Sequence, residues 1–169
     1  METKKVIIHS GQYRNVNFSI KQFEPLGSLG NECSWAHYIH LNLDKQIRDK
    51  SIADSFWLKT KYDEEKRVSH NYHVSPISDI EFHGGCTYYS KESSVDDLDR
   101  VIKIGCDYQH SWDYNRDYSI NYIKNQVRET IDSLLLITPV MKWCNGCGVF
   151  YEDVTKDGCG KCKYSKDKY

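Results

Sequence analysis

Four cysteines near the end of the chain have the types and spacing of metal ligands. Cys144-Asn145-Gly146-Cys147 and Cys159-Gly160-Lys161-Cys162 are two C-x2-C knuckles, separated by residues 148–158. Tetrahedral zinc takes four soft ligands at about 2.3 Å, and one tight C-x2-C loop presents two sulfurs. The spacing therefore predicts one structural zinc ion held by Cys144, Cys147, Cys159 and Cys162. Val149 to Tyr151 and Glu152 to Lys156 are expected to form a hairpin between the knuckles, closing at Asp157-Gly158. So small a unit has almost no core, and metal binding must supply its folding energy. A rubredoxin-type iron site and a redox dithiol use the same residues. The knuckles lack the prolines common around such iron sites, and a redox pair does not need a second copy. A ribbon of this kind serves as a stabilising clip, as an oligomerisation element, or as a contact for nucleic acid. The last would work through Lys156, Lys161, Lys163, Lys166 and Lys168. Those charges are more commonly a solvated tail, so nucleic acid is not the favoured partner.

A second constellation lies upstream. His83-Gly84-Gly85-Cys86-Thr87-Tyr88 and Gly105-Cys106-Asp107-Tyr108-Gln109-His110-Ser111-Trp112-Asp113 each begin in or at the end of an expected strand. If those strands are neighbours, His83, Asp107, His110 and Asp113 converge at one sheet end. Histidine with aspartate suits a metal site, acid–base chemistry or hydrogen bonding to a polar ligand. The predicted pocket is lined by His83, Thr87, Tyr88, Asp107, His110, Trp112 and Asp113, with Gly84-Gly85 as its floor. Each residue also has a plain structural role open to it. His83 could be a satisfied structural histidine, Asp107 a cap for the turn after its strand, and Gly84-Gly85 a bulge. Such a cluster costs stability unless a ligand is bound or its hydrogen bonds are complete. No nucleophile elbow, P-loop or dinucleotide fingerprint is present.

The elements that must position these residues follow from periodicity. Lys5 to His9 and Asn17 to Phe23 read as strands around a Gly11–Asn15 turn. Cys33 to Leu43 reads as a strand with Trp35, Ile39 and Leu41 on one face. Asp44 is expected to cap a helix running to about Leu58, and Lys59 to Ser78 is expected to be loop. Asp79 to Ser90 is strand-like, interrupted by the double glycine. Arg100 to Asp107 alternates, with Ile102, Ile104 and Cys106 on one side. Ser119 to Leu136 is the clearest helix, with a stripe of Ile120, Ile123, Val127, Ile131, Leu134 and Leu135. The fold class expected is α+β: an antiparallel sheet with one long C-terminal helix packed on it, then a small zinc ribbon. Residues 1–138 would form the main domain, and residues 139–169 the ribbon and a short basic tail.

Composition bounds the rest. The net charge is -1, with 23 basic and 24 acidic side chains, so no large counterion-release term drives nucleic-acid binding. No apolar run is long enough to cross a bilayer, and Val6 to Ile8 is too short for a signal peptide. A cytosolic protein with no membrane partner is expected, where seven cysteines stay reduced. Aromatics make up 13% of the chain, enough to furnish stacking surfaces for bases.

The two upstream motifs resemble those of small phage and prophage proteins of uncharacterised function. That family carries a pattern close to H-G-G-L-T-Y, then G-F-D-x-x-H-x-x-D, then a helix beginning Y-V. Here the first reads His83 to Tyr88, the second reads Gly105-Cys106-Asp107-x-x-His110-x-x-Asp113, and the helix begins Tyr122-Ile123. Cys33 to Ile39 is similar to the family's early strand, so the resemblance spans roughly residues 33 to 136. Cys86 and Cys106 replace the family's leucine and phenylalanine. The resemblance implies a phage accessory protein acting in the cytoplasm of an infected host. Taken with the polar cluster, it suggests a counter-defence protein that captures a nucleotide-type small molecule, such as a bacterial immune signal. Two other classes stay open. One is a metal- or His/Asp-dependent hydrolase acting on a nucleotide-type substrate. The other is a zinc-ribbon protein contacting nucleic acid or a host protein. A homo-oligomer is compatible with each.

Overall fold

The computed structural model describes residues 6–23, 34–57, 76–93, 99–109, 113, 116–144 and 146–152. Strands β1 (Val6–Tyr13) and β2 (Val16–Phe23) form a hairpin in register from Val6↔Phe23 to Tyr13↔Val16. The turn is Arg14-Asn15, not Gly11–Asn15. Both residues have positive φ, 45° and 67°, which matches the twist of the flanking strands. Gly11 stays inside β1 because the ring of Phe18 lies over it. A Cβ there would fall 2.6 Å from Phe18 Cζ.

β3 (Ser34–Asn42) occupies the middle of the sheet, between β2 and β5 (Arg100–Asp107). β4 (Tyr88–Ser93) forms the far edge against β5. The order is β1-β2-β3-β5-β4, and every neighbouring pair is antiparallel. Alternation puts Trp35, His37, Ile39, Leu41, Ile102, Ile104 and Cys106 on one face, all buried. Helix α3 (Ile120–Ile137) covers that face, with Ser119 as its N-cap. Ile123, Val127, Ile131 and Leu134 are buried at helical spacing, as the stripe predicts, while Lys124, Arg128 and Glu129 are exposed. The α+β class and the helix packed on an antiparallel sheet are thus observed.

Two expected elements break up. The helix predicted from Asp44 to Leu58 is split into α1 (Leu43–Gln46), capped by Asn42, and α2 (residues 50–57); Leu58 lies outside the described residues. Between them Ile47 leaves the helix to bridge Val140, and Asp49 restarts it by accepting from the N–H groups of Ser51 and Ile52. Asp44 is no cap; its carboxylate takes Arg100.

The strand predicted from Asp79 is absent up to residue 87. Pro76–Asp79 is a 3-10 turn, and the backbone then satisfies itself on helix side chains. Glu81 N–H donates to Ser133 Oγ at 2.8 Å, and Thr130 Oγ1 donates to Glu81 C=O at 2.7 Å. Gly84 and Gly85, at φ 69° and 97°, then turn the chain, and pairing begins at Tyr88.

A small hairpin of β6 (Lys142–Cys144) and β7 (Val149–Tyr151) follows the helix. Val149 to Tyr151 is a strand as expected, but its partner is Lys142–Cys144, so this hairpin closes at the first knuckle. The expected closure at Asp157-Gly158 lies outside the described residues. The hairpin is tied to the body by Met141 N–H donating to Gln46 C=O at 2.8 Å and by Asn15 Nδ2 donating to Val140 C=O at 3.3 Å. No described helix is long and apolar enough to cross a membrane.

Candidate functional site

The sequence gathers His83, Thr87, Tyr88, Asp107, His110, Trp112 and Asp113 into one pocket. His110 and Trp112 lie outside the described residues. The others fall into two groups, one turned inward and one at the surface.

The first group turns inward. The turn at Gly84-Gly85 carries the His83 ring over Tyr108, stacked at 4.3 Å between centroids. His83 Nε2 donates to Asp113 Oδ1 at 2.8 Å, and Tyr118 Oη donates to the same oxygen at 2.5 Å. The His83 and Asp113 side chains are only 11% and 3% exposed. Tyr108 Oη reaches His37 Nδ1 at 2.9 Å, and His37 Nε2 reaches Thr130 Oγ1 at 3.2 Å. Directions along this chain are fixed by its end. Thr130 spends its one proton on Glu81 C=O, so it accepts from His37 Nε2–H. His37 Nδ1 must then accept from the Tyr108 hydroxyl.

His37 has no exposed surface, and burial holds its pKa down to about 3, with His83 nearby as a further cause. It is therefore a neutral imidazole. Burial likewise raises the Tyr108 hydroxyl and the Cys106 thiol, whose sulfur lies 3.6 Å from His37 Nδ1. Neither group is prepared to act as a nucleophile at neutral pH.

The second group stays at the surface. Thr87 Oγ1 donates to Asp107 Oδ2 at 2.9 Å and accepts from Asp107 N–H at 3.3 Å. Asp107 Oδ1 accepts from Gln109 N–H at 3.2 Å, which is the turn-capping role open to it from sequence. His83 does not pair with Asp107; its carboxylate partner is Asp113. The reason is the early turn: without a strand at 81–87, His83 is not carried along the ladder toward Asp107.

Behind this group lies the face of the sheet opposite α3. Tyr38, Gly105 and Tyr88 form one row across β3, β5 and β4. Gly105 lets the two rings meet, 5.0 Å apart and edge-on. A Cβ at Gly105 would lie 2.5 Å from Tyr38 Cδ1 and 2.3 Å from His37 C=O. Lys103 Nζ sits 4.8 Å from the Tyr38 ring and 5.7 Å from the Tyr88 ring, and Lys21 Nζ lies 5.4 Å from Tyr38. Tyr88 is 39% exposed.

Gly85 is present for its backbone conformation. A Cβ there would meet nothing within 4 Å, so no close approach demands glycine. Cys86 donates to Tyr88 C=O, and burial pushes its thiol up to about 11. Sequence reasoning missed His37, Tyr108, Tyr118 and Thr130 in the inward group, and Tyr38, Lys21 and Lys103 on the outer face. One signal was available: His37 is a polar residue on the apolar face of its strand.

Cys144 ends β6 and Cys147 lies in the turn of the β6–β7 hairpin, with Gly148 N–H donating to Cys144 C=O at 2.8 Å. Cys159 and Cys162 lie outside the described residues. Among the described residues, no three His, Cys, Asp or Glu side chains group as a metal site. No protein-family model matches the chain, and no curated protein and no solved structure matches it significantly.

Proposed function

We propose that this chain is a small phage-type accessory protein, active in the host cytoplasm, that binds a nucleotide-type small molecule around Tyr88. The observation that carries the reading is the exposed Tyr88 ring. It is propped edge-on by Tyr38, flanked by the Lys103 ammonium, and adjacent in sequence to the fixed Thr87–Asp107 pair. A base stacks on a tyrosine face, an ammonium attracts phosphate, and a carboxylate accepts from ribose hydroxyls. Binding is favoured over hydrolysis because the imidazole–carboxylate pair is buried and hydrogen-bonded. The phage association rests on the motif resemblance.

Thermal shift with a nucleotide panel tests this. A ligand that binds only the native state raises the melting temperature, by a free energy that grows with the logarithm of its concentration over its dissociation constant. At least one nucleotide should stabilise the wild type without being turned over, and Tyr88→Ala should lose that shift. Turnover of a panel member, or a shift unchanged in Tyr88→Ala, overturns the reading.

We also propose one structural zinc ion on Cys144, Cys147, Cys159 and Cys162. Two thiolates at one hairpin turn, with a second C-x2-C downstream, fit a four-sulfur site. Elemental analysis should find one zinc per chain, lost in Cys162→Ser; metal-free protein as purified sinks the assignment.

A further inference from the structure

Among the described residues β1 is an outer edge of the sheet, and its eight residues run without a bulge from Val6 to Tyr13. They include no Lys, Arg, Asp, Glu or Pro. An unbroken, uncharged edge of this length is a template for another strand, and proteins ordinarily blunt such edges with charge, proline or bulges. We propose that β1 pairs antiparallel with β1 of a second copy of the chain, joining the two sheets across a two-fold axis.

The hairpin fixes the register of that pairing. A two-residue turn makes Tyr13 and Val16 a hydrogen-bonded pair. Ile7, His9, Gly11 and Tyr13 therefore spend their N–H and C=O groups on β2. Val6, Ile8, Ser10 and Gln12 aim theirs at the open edge. The side-chain bond from Gln12 Nε2 to Asn17 Oδ1, 3.1 Å, sits at a close, non-hydrogen-bonded pair, as this parity requires. A symmetric pairing must match outward residues with outward residues. The register that uses all four is centred on His9, with Val6 against Gln12 of the second copy and Ile8 against its Ser10.

That register also resolves the side chains. Ile8, 60% exposed in the single chain, lies against Ser10 and diagonal to Ile8 of the second copy. Val6, 39% exposed, is covered by Gln12. On the α3 side, His9 faces His9 across the axis. A neutral strand with matching parity needs no foreign charge to complement it, and a second copy brings the same array.

The test is light scattering and sedimentation over a concentration series. The wild type should dimerise. Ser10→Pro deletes an N–H that the single chain does not use, and Ile8→Lys sets like charges together; both should be monomeric with unchanged circular dichroism and melting at low concentration. A second measurement is independent of these variants. Opposed non-hydrogen-bonded residues have Cα atoms about 4.5 Å apart, within the disulfide range of about 4.4–6.8 Å. Oxidised His9→Cys should form a 9–9 linked dimer, identified by peptide mass, whereas Gln12→Cys should not link to itself. A wild type that is monomeric at every concentration, a dimer that survives both edge variants, or assembly only with a foreign strand overturns the proposal.

Discussion

His83 and Asp113 are turned inward against Tyr108 and Tyr118, whereas Thr87, Tyr88 and Asp107, a few residues away in the same motifs, stay at the surface. The inward pair belongs to a chain of hydrogen bonds from Asp113 to His83, and stacks on a second chain from Tyr108 through His37 and Thr130 to the backbone of Glu81. The outward pair is a local clasp at the end of β5, beside an aromatic and basic sheet face. Similar residue types thus do different work. Where every hydrogen bond is made inside the protein, the group holds the fold. Where a carboxylate and a ring still face solvent, the group is available to a ligand.

Asp113→Ala is the strongest way to break this comparison. The substitution leaves His83 and Tyr118 without their shared acceptor in a nearly dry site. Leaving a buried donor without its acceptor costs about 1–3 kcal/mol for each group. A polar cluster read from sequence as awaiting a ligand would instead lose binding and keep its stability. Denaturant unfolding decides, with Ile131→Ala as a benchmark in the same layer. That truncation of a fully buried isoleucine should cost about 2–5 kcal/mol. If Asp113→Ala unfolds at the wild-type midpoint, the inward group is a site after all.

Acid sharpens the comparison next. The native His37 titrates near 3 and the unfolded imidazole near its ordinary 6.5, because burial penalises the charged ring. The unfolded state therefore binds the proton first. The stability that the neutral ring contributes is complete above about pH 6.5 and is lost progressively as pH falls toward 3. Asp44 and Asp99 behave differently. Their carboxyls are held below the usual range chiefly by hydrogen bonds from Arg100 and Lys45, so their share is lost only below about pH 4. Melting temperature followed from pH 7 to 4 should fall in the wild type and fall less in His37→Gln. Equal slopes would show that the inward network is not held by a neutral histidine.

How far these halves could be read from sequence depends on what each residue contributes to periodicity. The stripe from Ile123 to Leu134 and the alternation of Ile102, Ile104 and Cys106 are repeated signals, and both elements are where they predict. Ile47 defeats the helix reading because a buried bridge to Val140 outweighs the local preference to continue a turn. The turn at Arg14-Asn15 was hidden because a glycine three residues earlier is the stronger local marker. At the site, the motifs gave the right residue types but not the partners. Which carboxylate meets His83 is set by the two positive-φ glycines that follow it and by the hydrogen bonds of Glu81 to Thr130 and Ser133 of α3, and the latter are not local in sequence. Lys21 and Tyr38 join Tyr88 only through strand order.

The smallest effect expected distinguishes a clasp that serves a ligand from one that serves the fold. Thr87→Val keeps the shape of the side chain and removes its hydroxyl. Two hydrogen bonds to Asp107 are lost, but both lie at an exposed site where water replaces them. The stability cost should be about 0.5–1.5 kcal/mol, the net value of an ordinary hydrogen bond. The Asp107 carboxylate keeps Gln109 N–H on Oδ1 but loses the contact that orients Oδ2. A ligand that uses this oxygen must then pay for its orientation on binding, so affinity for the nucleotide found in the panel should weaken by about tenfold, the equivalent of 1.4 kcal/mol. Tyr88→Ala supplies the contrast: it removes the stacking surface and leaves the clasp intact. If Thr87→Val lowers the melting temperature while affinity stays at the wild-type value, Thr87 and Asp107 only cap the strand, and the ligand-binding surface is confined to Tyr88, Tyr38 and the two lysines.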